Sequence, residues 1–181
     1  KQAKGIVAEL AKSLNMPYIT ERWPGGLLTN FSTIRKSIKK MQNIDAMKED
    51  GTFDTLSKRE RLQIDRQRAK LELNLGSIVK MNRMPEAIFI VDINKENIAL
   101  AEANKLGIRS FAMTDTNTNP TLVNFPIPSN DDSTKSIQCI LSIIGKSISE
   151  GLEQRSIDQE KKDDAKKDKA KKIVEEQEKN N

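Results

Sequence analysis

Residues 87–92, Ala87-Ile88-Phe89-Ile90-Val91-Asp92, form an unbroken apolar run closed by a carboxylate. A run of this length without polar alternation is what a strand buried on both faces requires. Downstream, Asn94 is placed to cap a helix through Leu106, and Gly107 to end it. Arg109-Ser110-Phe111-Ala112-Met113-Thr114 reads as the next strand, closing on Asp115. After a loop rich in Asn, Thr and Pro comes a short extended piece, Phe125-Pro126-Ile127-Pro128. Asn130-Asp131-Asp132 then opens a long helix whose Ile137, Ile140, Leu141, Ile144 and Ile148 share a stripe. Strand, helix, strand, helix at this spacing predicts an α/β fold, with right-handed crossovers, a parallel sheet and helices on both faces.

Upstream of that block lies a different pattern. Ile34, Ile38, Met41 and Ile44 recur at helical spacing, with Asn30 or Ser32 as N-cap and Asp50-Gly51 as the end. Ser57-Lys58-Arg59-Glu60 is a capping box that starts a second helix. Its heptad-like seam is expected at Leu62, Ala69 and Leu73, with Arg66 between them. A narrow, interrupted seam of this kind predicts a projecting coiled-coil hairpin over residues 31–78. Before it, Ile6, Val7, Leu10, Ala11 and Leu14 predict a helix, and Pro17-Tyr18-Ile19-Thr20 a short strand. In the Pro24-Gly25 pair, proline presets the first corner of a turn and glycine supplies a positive φ at the second.

The 181 residues carry a net charge of +5, and the whole excess lies between Arg35 and Lys70, where 11 basic residues face 6 acidic ones. A surplus confined to one helical segment fits either a polyanionic partner or a solvated lysine-rich face. Residues 158–181 hold 8 Lys and 8 acidic side chains with only Ile173 and Val174 as large aliphatics, so that tail is expected to be disordered. No apolar run approaches the ~20 residues of a membrane span. The single Cys139 lies in the apolar pattern of the last helix and reads as a buried structural thiol.

Little of the usual catalytic chemistry is present. The sequence has no His, removing the commonest general base and metal ligand. Its glycines form neither a phosphate loop nor a dinucleotide fingerprint. Asp92, Asp115, Asp131 and Asp132 stand at or beyond predicted strand ends, where open α/β sheets build their sites. Asp115 and Asp131 are candidate ligands of a structural divalent cation, the only cofactor the sequence suggests. The competing reading has Asp131 or Asp132 capping the last helix and Asp115 closing a turn. In Arg22-Trp23-Pro24-Gly25-Gly26, the indole either packs on the core or stacks on a base or ribose.

Three ordered blocks resemble one family, the bacterial-type small-subunit ribosomal protein S-two family. The first runs from Arg22-Trp23-Pro24-Gly25-Gly26 through Leu27-Leu28-Thr29-Asn30-Phe31 to Arg35. The second is Pro85 to Asp92 with Ala101-Glu102-Ala103-Asn104-Lys105-Leu106-Gly107, and the third is Asp115-Thr116-Asn117 with Phe125 to Asp132. The resemblance covers residues 1 to about 155. It departs at Pro24, where the family often carries Leu, and at Arg109, where Pro or Ala is usual. It also implies an N-terminal portion ahead of Lys1, which is not a Met.

What the resemblance implies is a Rossmann-like parallel sheet flanked by helices with an inserted helical hairpin. The divisions become residues 1–30 and 79–157 for the α/β domain, 31–78 for the hairpin and 158–181 for the tail. It further implies a non-enzymatic, cytoplasmic, ribosomal role in assembly. Ribosomal RNA and neighbouring ribosomal proteins would be the partners, including the mRNA-binding S-one type, without homo-oligomers or a membrane. Arg22, Trp23, Gly25, Gly26, Thr29 and Asn30 would form an RNA-contacting hairpin base. Arg35, Lys36, Lys39 and Lys40 on one arm, and Lys58, Arg59, Arg66 and Arg68 on the other, would face phosphates. Two other classes stay open: a protein–protein adaptor working through the coiled coil, and a nucleotide-dependent enzyme on a doubly wound sheet.

Overall fold

β-Branched and aromatic side chains at residues 88–91 favour extended backbone. In the computed structural model of the protein, strand β1 (Ala87–Ile90) forms there, followed by β2 (Arg109–Thr114) and β3 (Phe125–Pro128). The structure describes the backbone of residues 1–179 and the side chains of residues 1–159 and 161. The strands form one parallel sheet in the order β1-β2-β3. Phe111 is in register with Phe89 on one side and Phe125 on the other. The Phe111 and Phe125 rings stack at 4.5 Å between centroids. Strand β3 carries Pro126 and Pro128, residues a sheet tolerates on an outer strand because neither has an N–H to donate.

Alternation along the strands sends side chains to two faces. On one, Phe89, Val91 and Met113 pack with Ile6, Val7 and Leu10 of helix α1 (Gln2–Ser13) and with Ile137 and Leu141. On the other, Ile90 and Ala112 pack with Ala99 and Leu100 of a helix at Asn97–Leu106. Helices thus cover both faces, as the apolar strands demand. That second helix joins β1 to β2 and ends where expected, at Gly107 with φ 67°. It starts two residues later than expected, with Glu96 in the cap position. Asp92 Oδ1 accepts the N–H groups of both Asn94 and Lys95 at 3.0 Å, so Asn94 belongs to the turn and does not cap the helix.

The basic segment folds as two helices, α2 (Phe31–Glu49) and α3 (Lys58–Leu75), and the one after β1 is therefore α4. Ser57 and Glu60 form the predicted capping box. The pairs Asp45–Arg68 and Lys48–Asp65 set the two helices antiparallel. The α2 stripe is as predicted, with Ile38, Met41 and Ile44 buried. The α3 seam is not. Leu62 and Leu73 are 52% and 66% exposed and Ala69 is also exposed, whereas Ile64, Arg68 and Leu71 are half-buried and Leu75 is buried. The register of α3 is set at its base, where Leu71 and Leu75 join a core with Leu27, Leu28, Ile38 and Ile78.

Other local expectations also shift. Residues 17–20 form no strand, and the Tyr18 carbonyl instead accepts the Ser77 hydroxyl. The positive φ of the turn falls at Gly26 (85°) and not at Gly25, because the closing bond runs from Leu27 N–H to the Pro24 carbonyl. Helix α5 (Thr134–Lys179) is preceded by Asn130, whose side-chain oxygen accepts the N–H groups of Asp132 and Ser133. Asp131 and Asp132 are therefore not its capping side chains. Cys139 is exposed rather than buried, since Ile137 and Leu141 take the inward face of α5.

The chain divides into two units, Lys1–Leu141 and Ser142–Asn181. The charged tail of residues 158–181 falls in the second, and α5 spans Thr134 to Lys179. Beyond Gly151 it meets no Gly or Pro and is rich in Lys and Glu, good helix formers. The last two residues of the expected tail, and its side chains beyond Lys161, lie outside the described residues.

Candidate nucleic-acid interface

The turn that leads into α2 is organised by a residue that sequence reasoning passed over, Glu102 of α4. It is 7% exposed, and its carboxylate accepts five hydrogen bonds from the Trp23–Thr29 segment. Oε1 takes the Gly26 N–H at 2.6 Å and the Trp23 indole N–H at 3.3 Å. Oε2 takes the N–H groups of Leu28 at 2.8 Å and Thr29 at 3.0 Å, and the Thr29 hydroxyl at 3.3 Å. Burial alone would raise this carboxyl's pKa; the amides of Thr29, Gly26 and Leu28 with the indole outweigh it and hold the pKa below the ordinary glutamate value. A sequence signal did exist. Glu102 lies between two alanines on the helix face that includes Ala99 and Ala103, both at most 1% exposed.

Trp23 packs on the core, the first of its two readings. The ring packs against the two clusters around Ile38 and Ile90, and its N–H is held by Glu102, yet it also lines an open cleft. Of the predicted contacts, Arg22, Gly25, Thr29 and Asn30 are exposed around this base, while Gly26 is half-buried.

Two predicted phosphate contacts are committed within the protein. Arg68 Nε lies 2.6 Å from Asp45 Oδ1 and its Nη2 3.6 Å from Glu72, contacts that raise the guanidinium pKa, so it clamps the two arms together. Arg35 Nη1 donates to the Met81 carbonyl at 3.2 Å and to Asn82 Oδ1 at 2.7 Å, tying α2 to the segment after α3.

The remaining cations differ. Lys36, Lys39, Lys40, Lys58, Arg59 and Arg66 are exposed, and among the described residues none has an ion-pair partner. Meanwhile Asp45, Asp54, Glu60 and Asp65 of the same hairpin are engaged in ion pairs or the capping box. Lys36, Lys39 and Lys40, at i, i+3 and i+4, share a face near the base. Lys58 and Arg59 stand at the opposite end, roughly 14–20 Å further along the helix axis. The structure thus distributes the basic residues along the hairpin instead of gathering them at one point.

The strand-end carboxylates form a second group. Lys95 Nζ lies 2.8 Å from Asp92 Oδ2 and 4.0 Å from Asp132 Oδ1. Asp115 Oδ1 accepts the Thr116 N–H at 2.7 Å, but the turn itself is closed by the Asp115 carbonyl, which accepts the Thr118 N–H at 3.1 Å. Asp131 is 9% exposed and its Oδ2 is buried without a hydrogen-bond partner. Burial first, then the charges of Asp92, Asp115 and Asp132, raises its pKa. Among the described residues, no group of three or more His, Cys, Asp or Glu is placed to hold a metal ion. No helix among them is long and apolar enough to cross a membrane.

Comparison with known proteins identifies the lineage. The family model described as Ribosomal protein S2 matches residues 1–151. The small ribosomal subunit protein uS2 of Flavobacterium johnsoniae is 62% identical over 159 residues, 88% of this chain and 63% of that protein. That of Porphyromonas gingivalis is 61% identical over 159 residues, again 88% of this chain and 57% of the relative. That of Christiangramia forsetii is 63% identical over 155 residues, 86% and 52% respectively. The chain thus spans between about half and two thirds of the length of these curated relatives. With both the turn into the hairpin and the parallel sheet inside the matched region, the chain belongs to the ribosomal protein S2 family.

Proposed function

We propose that this chain is part of a non-enzymatic structural protein of the small ribosomal subunit, acting in the cytoplasm and binding ribosomal RNA. The observation that carries the reading is the row of exposed cations along α2 and α3 without internal partners, next to acids that are internally engaged. Uncompensated charge spread along a helical hairpin suits a polyphosphate backbone, where contacts position the protein and read RNA shape. A projecting coiled coil is the arrangement that would present it. Membership of the family favours a role in assembly, docking of a neighbouring mRNA-binding protein of the S-one type, and action without homo-oligomers.

The test is rebinding of the full-length protein to small subunits stripped of it, followed by sedimentation across a salt series. Stoichiometric binding that weakens steeply with salt is expected. Folded protein that fails to bind at any salt removes the proposal, and salt-indifferent binding favours an adaptor working through an apolar seam.

A second, structural element of the reading is a magnesium-type cation held by Asp115 and Asp131. The buried, partnerless Oδ2 of Asp131 favours it, and such ions commonly take only one or two carboxylates and keep several waters. Thermal stability should rise with added Mg²⁺ in the parent and not in Asp131→Asn. Equal responses in both proteins sink it.

A further inference from the structure

The cleft at the hairpin base has a chemistry that the charged ridge does not. Its volume is about 500 Å³, and it lies between the turn before α2, the C-terminal half of α3 and Ile98 of α4. Trp23 and Leu71 supply apolar wall, Arg22 and Lys70 supply cations, and Gln67 and Asn74 supply amides. No carboxylate lines it. Among the described residues, neither Arg22 nor Lys70 has an ion-pair partner. Trp23 is fixed in place by its indole N–H bond to Glu102, so its presentation needs no ordering when a guest arrives.

We propose that this cleft seats a single unpaired RNA nucleotide, its base against Trp23 and Leu71 and its phosphate between Arg22 and Lys70. The inference rests on the RNA-binding reading above and names one contact within it. Anionic, planar and hydrogen-bonding are the properties these walls select together. The volume falls in the roughly 300–1,000 Å³ range of small-ligand clefts, too small for a duplex. Paired bases stay stacked inside A-form RNA, so only a bulged or looped nucleotide reaches such a seat. Amides on α3 are suited to base edges. Asn74 Nδ2 already donates to the Lys70 carbonyl at 2.9 Å, which leaves its side-chain oxygen as the acceptor.

The experiment compares binding of the full-length protein to two RNA hairpins of equal length, one fully paired and one with a single-nucleotide bulge. The quantity read is the ratio of the two affinities. Base stacking on an aromatic side chain predicts a preference of roughly 5- to 150-fold for the bulged RNA. Two variants fill or repel at the cleft without touching the core: Gln67→Trp and Lys70→Glu, both at exposed positions of α3. Each should bring the ratio close to one. A parent ratio near one, with salt-sensitive binding to both hairpins, overturns this inference and leaves the RNA reading standing. So does a preference that survives both variants, which would place the seat elsewhere. Binding to neither hairpin takes down the RNA reading itself. A nucleoside monophosphate that competes as well as the bulged RNA would make the cleft a nucleotide pocket and overturn the assignment to RNA.

Discussion

At the scale of single residues, two buried carboxylates behave in opposite ways. Glu102 is charged and fully partnered, since five donors converge on its two oxygens. Glu102→Gln turns one acceptor oxygen into an NH₂ that faces N–H donors, and should lower unfolding stability by about 2–3 kcal/mol in urea titrations. Because its folded pKa is depressed, the stability it contributes is present above the ordinary glutamate value and lost as pH falls through the lowered one. Asp131 is the reverse case, a buried carboxyl with a raised pKa and a partnerless oxygen. Its folded state holds a proton more tightly than the unfolded chain, so stability is lost as pH rises through the raised value. Asp131→Asn should therefore stabilise magnesium-free protein at neutral pH by about 1 kcal/mol, with the gain vanishing in acid. Asp131 drew attention in the sequence because it follows a strand. Glu102 did not, because its five donors come from a segment more than 70 residues away and its only local signal is the flanking alanines.

At the scale of elements, the hairpin shows how a correct period can be assigned the wrong face. Arg68 looked like a solvent-facing phosphate contact, yet tertiary packing turns it inward between Asp45 and Glu72. A double-mutant cycle on Asp45 and Arg68 should give a small favourable coupling, modest because both side chains are about a third exposed. No coupling would mean that apolar packing alone aligns the arms. The turn at the base is the other element-level test. Gly26 has φ 85°, and an added Cβ would approach the Asn30 Cβ to 3.3 Å. Gly26→Ala should cost about 1–2 kcal/mol, whereas Gly25→Ala, with open space at its Cβ, should cost less. A larger cost at Gly25 than at Gly26 would place the strained corner where the sequence alone suggested it.

For the whole molecule, the prediction concerns charge. Reversing Lys36, Lys39 and Lys40 together should weaken RNA binding and reduce the slope of log affinity against log salt by about 2–3. An unchanged slope would take the base of α2 off the RNA face. What the sequence by itself determined was whatever depends on short-range pattern. The unbroken apolar run at 87–91 specifies β1, Gly107 ends α4, Ser57 and Glu60 start α3, and the basic surplus marks the hairpin. The three motif blocks carried the family resemblance for the same reason. Only the tertiary structure decided which face of α3 turns inward, that Arg35 and Arg68 are held within the protein, and that Cys139 is exposed. Periodicity leaves the rotation of a helix about its axis undetermined when polar and apolar residues alternate as loosely as in α3, and packing at the hairpin base settles it. The same holds for Glu102, whose partners are brought within 2.6–3.3 Å only when α4 docks beneath the turn.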